Sequence, residues 1–163
     1  MLKALIIALL LCGCTSKQLR FTGGSVAADH ELASNAGVEI LQMGGNAVDA
    51  AVATSFTLSV VRPFSCGIGG GGFMLIAGPD MEPVALNYRE RAPAATHPHF
   101  YKSNSSRFGG TAVGVPGTVA GLLAAHRKYG KLPLADVLAP AIRIANDGFQ
   151  PDAAYKNAMQ SVS

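Results

Sequence analysis

Residues 63–78 read PFSCGIGGGGFMLIAG, with glycine at five of the six positions from Gly67 to Gly72. Glycine loses more conformational freedom on folding than any other residue, so a fixed cluster of it needs a geometric reason. Gly67, Gly69 and Gly72 satisfy G-x-G-x-x-G. A dinucleotide fingerprint, however, follows a strand and opens a helix, whose N-terminus meets the pyrophosphate. Here the order is reversed: AVDAAVATSFTLSVV (47–61) reads as a helix and FMLIAG (73–78) as a buried strand. No Lys-Ser/Thr follows, so a phosphate-binding loop of the Walker type also fails. The segment reads instead as a place where backbone passes close to backbone. Its bare N–H groups would also suit a bound anion or a reacting carbonyl.

Outward from this point the elements fall in a consistent order. Upstream, DHELASNAGVEILQMGG (29–45) sets Leu32, Ala33, Ala36, Ile40 and Leu41 on one face at helical spacing, with a stop at Gly44-Gly45. Asn46 suits the cap of the next helix, which is apolar nearly all round, so burial on more than one side is expected; Pro63 ends it. Downstream, PVALNYRE (83–90) alternates as a second strand, joined to the first through a Pro79-Asp80 turn. RAPAATHPHFYKSNSSRFGG (91–110) reads as loop. GTVAGLLAAHRKYG (117–130) and PLADVLAPAIRIANDG (133–148) read as helices, the second kinked or divided at Pro140, and a last helical piece starts at Pro151-Asp152. Helices, a hairpin and more helices make an α+β chain rather than a parallel-sheet one.

The first residues stand apart. MLKALIIALLLCGC carries Lys3, an apolar run from Ala4 to Leu11, and then Cys12-Gly13-Cys14. The run is shorter than the roughly 20 residues of a membrane-spanning helix and suits the core of an export signal. LCGC resembles the bacterial lipobox, which implies cleavage before Cys14 and acylation of that residue. The alternative is an ordinary secretory signal with an incidental cysteine. The expected organisation is a lipoprotein signal peptide at 1–13, a linker after the lipidated Cys14 at 14–24, and one domain-sized portion at 25–163. The expected location is the bacterial cell envelope, lipid-anchored at the periplasmic or outer-membrane face; if the envelope has two membranes, Thr15 stands where inner-membrane retention would favour aspartate.

Composition excludes several classes. The chain of 163 residues is 49% hydrophobic and 14% charged, which argues against disorder. Its net charge of +3 is scattered with no Lys/Arg block, so a nucleic-acid partner is not indicated. His30, His97, His99 and His126 form no recognised metal spacing, and His97 and His99 are expected to be solvated; no metal or cofactor is expected. No G-x-S-x-G elbow is present. With Cys12 and Cys14 accounted for, Cys66 is left without a disulfide partner, as a buried small apolar residue or a reactive thiol. NYRERAP (87–93) puts Arg89 and Arg91 on one face of a strand end and Glu90 on the other. Two readings stand: a solvated surface pair, or a guanidinium fork for a substrate carboxylate.

Five blocks, AADHELASNAGVEILQMGGNAVDAAVA, CGIGGGGFML, YRERAP, AVGVPGTVAGL and YGKLPLADVLAPAIRIANDGF, run in order from about Gly24 to Asp152. Together they resemble the N-terminal part of the large subunit of the gamma-glutamyltranspeptidase (glutathione hydrolase) family. The resemblance implies a partial N-terminal-nucleophile hydrolase fold, an αββα sandwich of two subunits cut from one precursor. It implies gamma-glutamyl hydrolase/transferase activity on glutathione and related gamma-glutamyl amides, through a threonine acyl-enzyme. Arg89, in its R-E-x-A-P context, matches the family arginine that binds the donor's alpha-carboxylate, and Glu90 reads as support for the loop. In the family the glycine segment leads from a buried helix into a central strand. Thr15, Thr22, Thr54, Thr57, Thr96, Thr111 and Thr118 do not stand in the family's cleavage context, so no catalytic residue is expected in this stretch. The expected partners are a gamma-glutamyl small molecule, the small subunit of the same precursor, and the membrane of a bacterial cell envelope through Cys14. The alternative is a catalytically inactive lipoprotein remnant or gamma-glutamyl-binding module. Against that alternative, its helices and FMLI strand would expose apolar faces.

Overall fold

The computed structural model describes residues 23–103 and 105–160. The export signal, Cys14 and all but the end of the 14–24 linker lie outside the described residues. The elements, in chain order, are α1 (Glu31–Gln42), α2 (Ala47–Val61), a single turn α3 (Pro63–Cys66), β1 (Phe73–Gly78), β2 (Met81–Asn87), α4 (Thr118–Tyr129), α5 (Leu134–Asp147) and α6 (Ala153–Gln160). Short 3-10 turns at Phe100–Lys102 and Gly110–Ala112 punctuate the long loop between β2 and α4. Among the described residues no helix is long and apolar enough to cross a membrane.

Helix boundaries follow the capping chemistry. His30 accepts the N–H of Leu32 at the start of α1. At its end Gly44 takes φ +86°, which favours glycine, and the N–H of Gly45 donates to the Ile40 carbonyl. Asn46 and Asp49 form a reciprocal capping box at the start of α2. Asp49 does more than cap: it is fully buried, and its carboxylate also accepts the N–H groups of Lys131 and Leu132, tying the α4–α5 turn to the first turn of α2.

Helix α2 sits centrally, packed against α1, α4 and α5. Its burial runs round its circumference, through Val48, Ala50, Val52, Ala53, Thr57 and Val61, as its continuous apolar sequence predicts. Ile40, Leu122, Ala125 and Val137 complete the core from the neighbouring helices.

The hairpin is antiparallel, with Phe73 opposite Asn87 and Gly78 opposite Met81. Three details correct the sequence reading. First, β1 is not buried on both faces. Ile76 is buried and Met74 packs on the core, but Phe73 and Leu75 are 67% and 74% exposed, because the helices cover only one face of a two-stranded sheet. Second, α5 runs unbroken through Pro140, whose ring is fully buried in the helix interface. Packing there offsets the missing N–H. Third, β2 ends at Asn87, before the arginines, and α3 intervenes between α2 and the glycines.

Candidate functional site

The glycine segment shows what its composition is for. Gly72 and Tyr88 exchange backbone hydrogen bonds of 3.3 and 3.0 Å, extending the hairpin by one pair. The Gly70 carbonyl accepts the N–H groups of Gly117 and Thr118 at 2.9 and 3.0 Å. Helix α4 has no capping side chain, so this carbonyl satisfies its first donors. Gly71 lies between them: a Cβ there would stand 2.6 Å from both the Tyr88 carbonyl oxygen and the Glu90 nitrogen. From α4 and its N-cap, a Cβ at Gly117 would overlap the Tyr88 carbonyl, and one at Gly121 would overlap the Tyr88 ring. Residues 88–90 are thus in close contact with glycines of two segments, one from the loop and one from α4 and its N-cap. Burial raises the pKa of the Tyr88 phenol, whose hydroxyl donates to the Phe73 carbonyl at 3.2 Å.

Arg89 is the middle residue of this segment. Its N–H donates to Asn87 Oδ1 at 3.1 Å, and its side chain is 60% exposed. It lines a cavity of about 500 Å³, together with Glu90, Thr118, Phe64, Cys66 and the glycines Gly67 and Gly69–Gly71. Arg89 Nε lies 3.3 Å from Glu90 Oε2. That is ion-pair separation without hydrogen-bond alignment, and Oε2 is buried with no hydrogen-bond donor. Such a pair contributes at most about 1 kcal/mol to folding, and it leaves the outer edge of the guanidinium free. Arg91 does not stand beside Arg89 in a strand face. Its backbone pairs with Val115 (3.1 and 2.8 Å), closing the base of the 92–114 loop.

Cys66 is half-buried in the cavity wall rather than enclosed in the core. His97 and His99 are exposed in the long loop, and His126 packs against the α4–α5 turn with Nε2 3.0 Å from the Leu132 carbonyl. Among the described residues no three His, Cys, Asp or Glu side chains converge as a metal site.

Sequence reasoning missed Arg62. This residue ends α2 and is only 5% exposed. Nε donates to Asp29 Oδ2 at 3.0 Å, Nη1 donates to Asp152 Oδ1 at 2.9 Å, and Nη2 donates to Asp152 Oδ2 and to the Asp29 carbonyl. The hydrogen bonds to Asp152 raise the Arg62 pKa against the opposing effect of burial. In return Arg62, helped by the N–H of Tyr155, holds the Asp152 carboxyl well below the usual carboxylate range. The available signal was a single charge directly after an apolar helix and directly before Pro63. The missed partners of Tyr88, Gly117 and Gly121, carried a signal too: a spacing of four puts both on one face of a helix.

Fold and sequence define the class together: the chain carries part of an α+β N-terminal-nucleophile hydrolase fold. The gamma-glutamyltranspeptidase profile matches residues 33–163, and the chain belongs to that family. The glutathione hydrolase proenzyme of Pseudomonas aeruginosa is 49% identical over 135 residues, covering 78% of this chain and 24% of that protein. The crystal structure of Helicobacter pylori gamma-glutamyltranspeptidase superposes with a TM-score of 0.83 at 38% identity, covering 88% of this chain and 43% of that one. The Pseudomonas nitroreducens enzyme gives 0.82 at 44% identity, covering 88% and 44%. The chain therefore spans about a quarter of the length of the curated relatives it matches.

Proposed function

We propose that this chain is the N-terminal portion of the large subunit of a gamma-glutamyl hydrolase/transferase, and that Arg89 binds the alpha-carboxylate of the donor. The observation that carries the reading is Arg89 itself. It stands in the family's R-E-x-A-P context, on a backbone packed closely against glycines of the loop and of α4, with its side chain at the wall of a cavity. A bidentate ion pair there would fix the glutamyl end while the gamma-carbonyl meets a threonine nucleophile supplied by the small subunit of the same precursor. Attack would give an acyl-enzyme, released to water or to an amine. The exposed Phe73 and Leu75 favour a further layer over the hairpin, as a sandwich requires. Residues 1–13 would act as a lipoprotein signal and Cys14 as the lipid anchor to a bacterial envelope.

The test is Arg89→Ala in the complete precursor, assayed on a gamma-glutamyl anilide. Losing charge-assisted hydrogen bonds to the ground-state carboxylate is expected to raise KM about 10- to 100-fold. Near-normal kinetics would remove Arg89 from the site. For the anchor, incorporation of labelled palmitate should vanish in Cys14→Ser; unchanged labelling would reject the lipobox reading.

A further inference from the structure

Arg62 lies outside the cavity, yet the turn that begins at the next residue forms part of the cavity wall. Phe64 and Cys66 of α3 both line that cavity, which Arg89 also lines. A four-residue helical turn with no side-chain cap has little stability of its own. Two contacts hold it from behind. The Arg62 fork ties the residue just before the turn, its N-cap, to Asp29, ahead of α1, and to Asp152, which also accepts the Tyr155 N–H at the start of α6. The Phe64 ring, in turn, meets the Tyr155 ring edge to face at 5.8 Å, with the Arg62 guanidinium 5.8 Å from the Phe64 centroid. A planar guanidinium serves two carboxylates at once, which an ammonium cannot do with the same geometry. The Ser59 hydroxyl, donating to the Cys66 carbonyl at 2.9 Å, fixes the far end of the turn.

We propose that Arg62 is a positioning residue for the Arg89 cavity: by joining Asp29 and Asp152 it sets the Pro63–Cys66 wall, so that the docking of α6 and the shape of the binding site are coupled. The inference rests on reading that cavity as the donor site, and its test has a readout independent of activity. In the complete precursor, alkylation of Cys66 by iodoacetamide is followed by mass spectrometry of the Cys66 peptide, alongside kinetics on a gamma-glutamyl anilide. Arg62→Ala is expected to speed Cys66 alkylation by about tenfold and to raise KM several-fold with a smaller change in kcat. Simple loss of folded protein would instead lower the apparent kcat at unchanged KM. Arg62→Lys should fall between the alanine variant and the wild type. Asp152→Asn keeps the size and the helix-capping oxygen while removing the charge, so it reports even if the alanine variant fails to fold. Wild-type alkylation rates and wild-type KM in both Arg62→Lys and Asp152→Asn would overturn the proposal. A faster Cys66 in a precursor with no gamma-glutamyl activity would uphold the positioning of the wall and reject the donor-site reading.

Discussion

Replacing Gly71 by alanine isolates the physical reason for the glycine cluster. Neither Gly71 nor Gly69 has a positive φ, so both backbones suit an alanine and only space decides the outcome. At Gly71 the new Cβ would sit 2.6 Å from the Tyr88 oxygen, 2.6 Å from the Glu90 nitrogen and 2.9 Å from the Arg89 carbonyl carbon. All three atoms are backbone, so no side-chain rotation relieves the overlap. Residues 88–90 would have to move by roughly an ångström, although Tyr88 is also packed tightly against Gly117 and Gly121. Overpacking of this kind costs about 1–3 kcal/mol or more. At Gly69 nothing lies within 4 Å of the new Cβ, so the change should stay within about 0.5 kcal/mol. Urea unfolding of the two purified variants makes the comparison, with the midpoint moving and the slope constant. In Gly71→Ala the displaced Arg89 backbone should also lower kcat/KM on a gamma-glutamyl anilide, by up to about 100-fold for a shift near 1 Å. Equal losses at the two positions would refute the reasoning, since Gly69 has nothing near an added Cβ and the entropy change of a glycine-to-alanine replacement favours the folded state. So would a Gly71→Ala variant as stable as the wild type.

Removing Asp49 should cost far more than an ordinary helix cap. Asp49→Ala leaves the N–H groups of Asn46, Lys131 and Leu132 without their acceptor, for about 3–5 kcal/mol by urea titration. Asp49→Asn, which retains one acceptor oxygen, should lose less. Asp152 makes stability pH-dependent in a defined direction. Its folded pKa is depressed below the ordinary 3.8, chiefly by its hydrogen bonds to Arg62. The stabilisation is therefore complete above about pH 4 and disappears as the pH falls through the folded value. Thermal unfolding at a series of acidic pH values should show a shallower decline in Asp152→Asn; an unchanged acid limb would count against the pair.

The sequence carries the helix order, the hairpin and the central helix clearly, because those features depend on local periodicity and on caps such as Asn46 and Gly44. What it did not carry depends on distant partners. Pro140 looks like a breaker until its ring is seen buried in a helix interface, where packing outweighs one lost hydrogen bond. β1 looks like a fully buried strand because Phe73 and Leu75 are as apolar as Ile76, and composition does not say which face the helices cover. Arg62 looks like one of many scattered charges, since its partners Asp29 and Asp152 lie 33 and 90 residues away. Arg89 was legible as a charge at a strand end and through the resemblance of its context to a family. The walls around it, from α3 and α4, were not.

The position of Arg89 follows from how the chain holds its neighbours. A long cationic side chain can be fixed by hydrogen bonds to its own head group, but that occupies the donors a ligand would need. Here, among the described residues, the head group has one ion-pair neighbour, Glu90, near Nε but without hydrogen-bond alignment, while the backbone beneath it is packed closely against glycines. Gly71 and Gly117 both approach the Tyr88 carbonyl, and Gly121 packs on the Tyr88 ring. A side chain at any of these glycines would force the strand end outward and carry the guanidinium with it. On the proposed reading of Arg89, the glycine cluster that resembled a nucleotide loop would therefore act on anion binding indirectly. It brings two backbones and a helix terminus to within contact of residues 88–90, so that an exposed arginine starts from a fixed point and its outer edge stays free.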